Sequence, residues 1–188
     1  MLTLGKVYYE IKAKKIVSMI TFPEKGVWID ESKTTYFISG DKLIKKEKND
    51  IPPENSLLHL CLTNGLYDYG LGKSRNYQMS KEEKTDTSET LTYLPVVKST
   101  ELYGKVILSR QNKTLVSMLI YDSNLKLRSK LFFKKYTTVG DLNIPLEILS
   151  ITYPDDKGTE DYQLTTYSNV TIDSEKEDEL FNYKIPSK

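Results

Sequence analysis

Between Val7 and Ile11 apolar and polar residues alternate, with Val7, Tyr9 and Ile11 on one side and Tyr8, Glu10 and Lys12 on the other. A two-residue period of this kind marks a half-buried β-strand. Ile16 to Phe22 is more uniformly apolar, Pro23 to Gly26 supplies turn chemistry, and Gly26 to Asp30 and Thr34 to Ile38 read as the next two strands. Lys42 to Lys46 forms another after the Ser39-Gly40-Asp41 turn. Such short connections join antiparallel neighbours, so the N-terminal part is expected to be a meander.

The period changes after Asp50-Ile51-Pro52-Pro53, where Leu57, Leu58, Cys61, Leu62 and Leu66 recur at three- and four-residue spacing. The spacing predicts a helix from about Glu54 to Asn64, opened by proline and ended by Gly65. A polar stretch, Gly70 to Asn76, leads back to strands near Tyr77 to Lys84 and, after Asp86-Thr87-Ser88, Glu89 to Leu94. Further strands are read at Tyr103 to Ser109, Thr114 to Tyr121, Leu125 to Phe133, Ile144 to Tyr153 and Asp161 to Tyr167. Their turns fall at Gln111-Asn112-Lys113, Asp122-Ser123-Asn124 and Pro154 to Gly158, and an acidic run from Asp173 to Glu179 precedes Leu180 to Pro186. Ten or more strands with one helix exceed what a flat open sheet carries, so the predicted fold is mainly β: a strongly curved antiparallel half-barrel or barrel over a helix.

Composition agrees with that reading. Fourteen tyrosines, five phenylalanines and one tryptophan favour strands. A chain of 188 residues is expected to form one domain over 1–188, burying about 70% of its unfolded surface. With 27 basic against 26 acidic residues and no basic block, nucleic acid is not an expected partner. No apolar run approaches the length of a membrane-spanning helix. Cys61 is the single cysteine, so no internal disulfide forms. Met1-Leu2-Thr3-Leu4 passes at once into strand, so the protein is expected either to be cytosolic or, the preferred reading, to have lost a secretory leader with its following segment from this start.

Catalytic constellations are missing from the pattern. The one histidine, His59, sits in the helix between Leu58 and Leu60 and reads as a helix residue with a satisfied ring. One histidine and one cysteine do not make a zinc site. Neither G-x-S-x-G, a phosphate-cradling loop nor a dinucleotide fingerprint occurs. Cys61 lies among leucines, where a thiol stays protonated and inert. Glu82-Glu83 and Asp155-Asp156 fall near turns, with adjacent side chains on opposite faces. The expectation is a non-enzymatic protein without metal or cofactor. Asn112-Lys113-Thr114 and Asn169-Val170-Thr171 read equally as sequons or as turns.

Several segments resemble the LolA-like family of periplasmic lipoprotein carriers, which includes lipid-carrying mycobacterial lipoproteins and the sensor domain of RseB-type regulators. Gly5-Lys6-Val7-Tyr8-Tyr9, Ile20-Thr21-Phe22-Pro23, Gly26-Val27-Trp28-Ile29-Asp30 and Tyr36-Phe37-Ile38 look like that family's opening strands. Leu119-Ile120-Tyr121-Asp122-Ser123-Asn124 is similar to its strand and turn, with Asn124 in a glycine place, and Thr166 to Val170 with Leu180 to Pro186 resembles its ending. The chain departs from the family in lacking an amphipathic helix before Gly5 and any arginine in the first strands.

The resemblance implies a half-barrel of about eleven strands, capped by helices, whose cavity receives lipoprotein acyl chains or a lipid in the periplasm. It implies a monomeric carrier or chaperone in outer-membrane lipoprotein sorting, in peripheral contact with a membrane. Candidate wall positions are Val7, Tyr9, Ile11, Val17, Met19, Trp28, Tyr36 and Ile38, with Leu58 and Leu62 as the covering face. The wall depends on strand register, because a one-residue slip exchanges inside for outside. The alternative is an envelope protein-binding or stress-sensing module whose interior is filled by its own side chains.

Overall fold

A computed structural model of the chain describes residues 1–49, 52–63, 65–96, 104–155, 158–172, 183, 185 and 186. Among them are twelve strands, where about eleven were expected, all paired with antiparallel neighbours in two sheets. The acidic run 173–179 lies outside the described residues, as do 180–182 and 184 of the expected ending, Tyr103 and Asn64. Two compact units divide the chain. The first comprises Met1–Thr63 and the end of the chain from Ile172, the second Asn64–Thr171.

In the first unit β1 (Leu4–Glu10), β2 (Lys15–Phe22), β3 (Gly26–Glu31), β4 (Thr34–Ser39) and β5 (Lys42–Lys48) form a meander in chain order. These are the strands the alternation predicts, to within a few residues at each end. The β4–β5 turn needs the left-handed conformation at Gly40 (φ 57°), where a Cβ would meet no neighbour but would strain the backbone. Val17, Ile29 and Ile38 are buried to 1% exposure or less and make the core of this sheet.

The predicted helix is shorter than its pattern. Residues Pro53–Asn55 form a 3-10 turn, Ser56 interrupts it, and α1 spans only Leu57–Leu62. The Ser56 hydroxyl donates to the Pro53 carbonyl (2.6 Å) and accepts from the His59 N–H (3.3 Å). Serine thus caps α1 from an extended conformation instead of lying inside it.

In the second unit two further 3-10 turns, Gly65–Tyr67 and Leu71–Lys73, precede β6 (Tyr77–Lys84), β7 (Ser88–Pro95), β8 (Val106–Gln111), β9 (Thr114–Tyr121), β10 (Leu127–Val139), β11 (Leu142–Thr152) and β12 (Asp161–Thr166). The seven strands run β12-β11-β10-β9-β8-β7-β6, again a meander. Asn112 and Lys113 both take positive φ (49° and 66°), the mirror-image hairpin turn whose twist suits the strands it joins. Pro145 sits in β11 beyond Glu147, the residue paired with the last residue of β12, so its missing N–H costs that ladder nothing. Leu91, Tyr93, Val106, Leu108, Met118 and Phe133 are buried to 5% exposure or less.

In the turn after β9, Asn124 stands in the glycine place of the resemblance. The residue with positive φ is Leu125 (61°), its side chain 65% exposed. The Asp122 carboxylate dictates this: its Oδ1 accepts the N–H groups of both Asn124 and Lys126 at 2.9 Å, so the chain must fold back one residue later.

Candidate apolar binding surface

Residues paired directly across an antiparallel ladder point to the same face. Val7 pairs with Ser18 and Tyr9 with Ile16, so the odd positions of β1 share a face with the even positions of β2. Val17 pairs with Ile29, Ile29 with Tyr36, Met19 with Val27 and Val27 with Ile38. Of the predicted wall, Val17, Met19, Tyr36 and Ile38 therefore lie together on one face. Val7, Tyr9 and Trp28 lie on the opposite face, because Ser18 pairs with Trp28. Ile11 falls past the end of β1 in the turn, 42% exposed, and Leu58 and Leu62 are on α1. The register does not bring the ten positions to one surface.

On the Val17 face the sheet ends in an apolar recess of about 340 Å³. Met19, Val27 and Ile38 line it from that face, and Ile20, whose pairing with Gly26 puts it on the opposite face, borders it with Lys25 and Gly26. Gly26 is required there: a Cβ would press into the Phe37 ring behind it. Of the predicted wall residues, Met19 and Ile38 border this recess, together with Val27.

The opposite face is aromatic. Trp28 stacks on Phe37 with centroids 4.6 Å apart, and Tyr9 meets His59 edge-on at 5.8 Å. The Tyr9 hydroxyl lies 2.6 Å from His59 Nδ1, which satisfies the ring as the helix pattern implied. Through this contact α1 is tied to the Tyr9 side of the sheet, away from Met19 and Ile38. Burial lowers the pKa of His59, with Glu54 opposing and Lys14 adding to the effect, and burial together with Glu54 raises that of Tyr9. Burial pushes the Cys61 thiol up to about 12, so it is protonated at neutral pH.

The second unit holds polar groups that the sequence reading passed over. Arg110 is 1% exposed; its Nη2 donates to the Glu89 carboxylate, and the Tyr67 ring lies over the guanidinium with its centroid 3.2 Å from Cζ. Lys84 sits 2.9 Å from Glu89 and 2.7 Å from Glu82. The 3-10 segment that carries Tyr67 is laced to itself by Asp68, which accepts from the N–H groups of Gly70 (2.9 Å) and Gly72 (3.0 Å). Its Leu66 and Leu71 are buried, and Tyr69 packs beside Phe133 at 6.1 Å. The segment therefore fills one face of the seven-stranded sheet. Position was the signal for Arg110: it follows Val106 and Leu108 at two-residue spacing, which puts it on the buried side of β8.

Asp122 is the other such group. Besides the two backbone donors it accepts from Arg128 Nε and Nη2, each at 2.8 Å. Burial raises its pKa, but the hydrogen bonds from Lys126, Arg128 and Asn124 outweigh it, and the net shift is downward. The stabilisation this carboxylate gives is complete above its unfolded pKa of about 3.9 and is lost as pH falls through the lower native value. Asp122→Asn should therefore melt lower than the parent at pH 7, with the gap narrowing below about pH 4, in thermal scans followed by circular dichroism across that range.

No protein-family model matches the sequence, and no curated protein matches it significantly. Solved structures do match. A LolA superfamily protein from Nitrosomonas europaea aligns with a TM-score of 0.52 at 12% identity, over 89% of this chain and 79% of its own. A putative outer membrane lipoprotein-sorting protein domain from Vibrio parahaemolyticus aligns with a TM-score of 0.53 at 12% identity, over 94% and 80%. Two antiparallel meanders with a short helix between them, aligned across nearly the whole chain, give this protein a LolA-like fold.

Proposed function

We propose that the protein is a non-catalytic carrier that holds acyl chains of a lipid or lipoprotein, acting as a monomer in the periplasm in outer-membrane lipoprotein sorting. The observation that carries the reading is the open apolar recess at Met19, Ile20, Val27 and Ile38 in a chain of LolA-like fold. Its volume of about 340 Å³ lies at the small end of ligand sites. Each CH₂ moved there from water contributes about 0.8 kcal/mol, so part of one acyl chain gives useful affinity. Lys25 on the wall suits a chain that ends near water.

The test is displacement of a fluorescent fatty acid, together with native mass spectrometry of protein taken from its own cell envelope. Bound acyl species are expected. Met19→Glu, which sets a charge in the half-buried lining, should weaken probe binding about tenfold or more. Absence of acyl species together with failure to bind the probe would overturn the reading.

A second reading, an envelope protein-binding or sensing module, is favoured by one observation: Leu66, Tyr67, Tyr69 and Leu71 fill a face of the seven-stranded sheet with the protein's own side chains. A lipid-free protein that crosslinks to one envelope partner at equal stoichiometry would select it.

A further inference from the structure

A guanidinium carries five N–H donors and cannot shed its charge, so a buried arginine normally has most of them engaged. Arg110 does not. It is 1% exposed, Nη2 alone meets Glu89, and among the described residues Nε and Nη1 have no hydrogen-bond partner. Its neighbours on the same face include Leu108 on β8 itself and Leu91 and Leu115 on the strands to either side, which offer no acceptor. Above it is an aromatic ring that takes the charge but not the hydrogen bonds. Leaving such donors unmet is costly, and replacing a buried ion pair by apolar residues is often neutral or stabilising. A fold that needed only a core here has no use for this side chain.

We infer that Arg110 is the base of an oxyanion site in the second unit, one that accepts a carboxylate or phosphate on Nε and Nη1. The ring over the guanidinium belongs to Tyr67, which is 50% exposed. A rotation of that one side chain opens the donors to a ligand without unfolding the sheet. The 3-10 turn that bears it ends at Tyr67 and is followed by left-handed residues at Tyr69 (φ 55°) and Gly70 (φ 72°), a local bend rather than a helix that must be unwound. The charges around the site nearly cancel: Lys84 and Arg110 face Glu82 and Glu89, and Asp68 stands near Tyr93. The anion is therefore held by directed, charge-assisted hydrogen bonds more than by net potential, and its affinity should vary little with salt.

The buried leucines beside Arg110 suit an anion with an apolar tail, whereas a free anion would need only the guanidinium. These two sources are separable. The site lies in a different unit from the Met19–Ile38 recess and does not depend on the carrier reading.

The experiment observes the side-chain Nε–H signals of the three arginines, Arg75, Arg110 and Arg128, by ¹⁵N NMR. Inorganic phosphate, dodecyl phosphate and dodecanol are titrated in turn. Arg110 Nε–H is expected to move with the phosphates and not with the alcohol, while Arg75 and Arg128 stay in place. Dodecyl phosphate binding tighter than inorganic phosphate by tenfold or more identifies an amphiphile; equal affinities identify a free anion, and both support the site. Arg110→Met should weaken phosphate binding about tenfold or more, because hydrogen bonds to a charged group are lost. Tyr67→Ala should bind at least as tightly as the parent. An Arg110 signal unmoved by either phosphate at millimolar concentration overturns the inference, with or without a folded Arg110→Met variant. The carrier reading would then still rest on the fatty-acid probe at Met19.

Discussion

Glu89→Leu is expected to lose about 3–5 kcal/mol of unfolding free energy, a large share of what a domain of this size has. The reason is Arg110. In the parent chain its one hydrogen-bonded nitrogen meets Glu89, and the guanidinium is buried to 1% exposure with Nε and Nη1 already unmet. Taking the carboxylate away leaves a full charge in the sheet interior with only the Tyr67 ring against it. The converse change differs in kind. Arg110→Met removes the charge and the unmet donors together, fills similar volume, and leaves Glu89 its contact with Lys84 at 2.9 Å. That variant should unfold within about 1 kcal/mol of the parent, and adding it to Glu89→Leu should restore most of the lost stability. Urea unfolding of the four proteins measures the cycle. A Glu89→Leu protein within about 1 kcal/mol of the parent would show that Arg110 finds other partners.

The strands were legible because two signals coincided: an alternating pattern and turn residues of the right kind. Thr114–Tyr121 was read with the limits it has, since Asn112 and Lys113 supply the left-handed turn on one side and Asp122 starts another on the other side. The faces were less legible. Alternation within β1 and within β2 says which residues share a side of each strand, but the phase between strands is set by hairpin length. Lys15 pairs with Glu10, which leaves Ile11 in the turn and matches odd positions to even ones. A wall drawn from Val7, Tyr9 and Val17 therefore joined opposite faces. On β2 and β4 the register puts Val17, Met19, Tyr36 and Ile38 on one face and Trp28 of β3 on the other, and Met19 and Ile38 border the recess.

The helix was overextended for a related reason. Leucine spacing counts turns, but one hydroxyl decides where they start, and Ser56 caps at the residue the pattern had placed inside. Beyond Leu66 the segment between α1 and β6 carried no period. Its order comes from Asp68 gripping two backbone N–H groups and from Tyr67 and Tyr69 lying on Arg110 and Phe133, contacts between residues far apart in sequence. Nothing in a polar stretch rich in glycine announces that it will cover a sheet.

Leu108→Ala should cost the second unit about 2–5 kcal/mol. Leu108 is fully buried on β8, with Leu91 of β7 and Met118 of β9 paired directly to either side at 3% and 5% exposure. All three sit on hydrogen-bonded central strands whose backbones cannot move in to close the space, so the removed methyl groups leave a cavity as well as a lost transfer energy. The matching control is Leu164→Ala on the edge strand β12, where the side chain is 61% exposed and pairs with Leu149 on the outer row. That change should stay within about 0.5 kcal/mol, as surface substitutions do. Urea midpoints by far-UV circular dichroism compare the two leucines in one experiment. The contrast tests which face of the seven-stranded sheet is its core, because a reversed register would make Leu164 the costly residue and Leu108 the silent one.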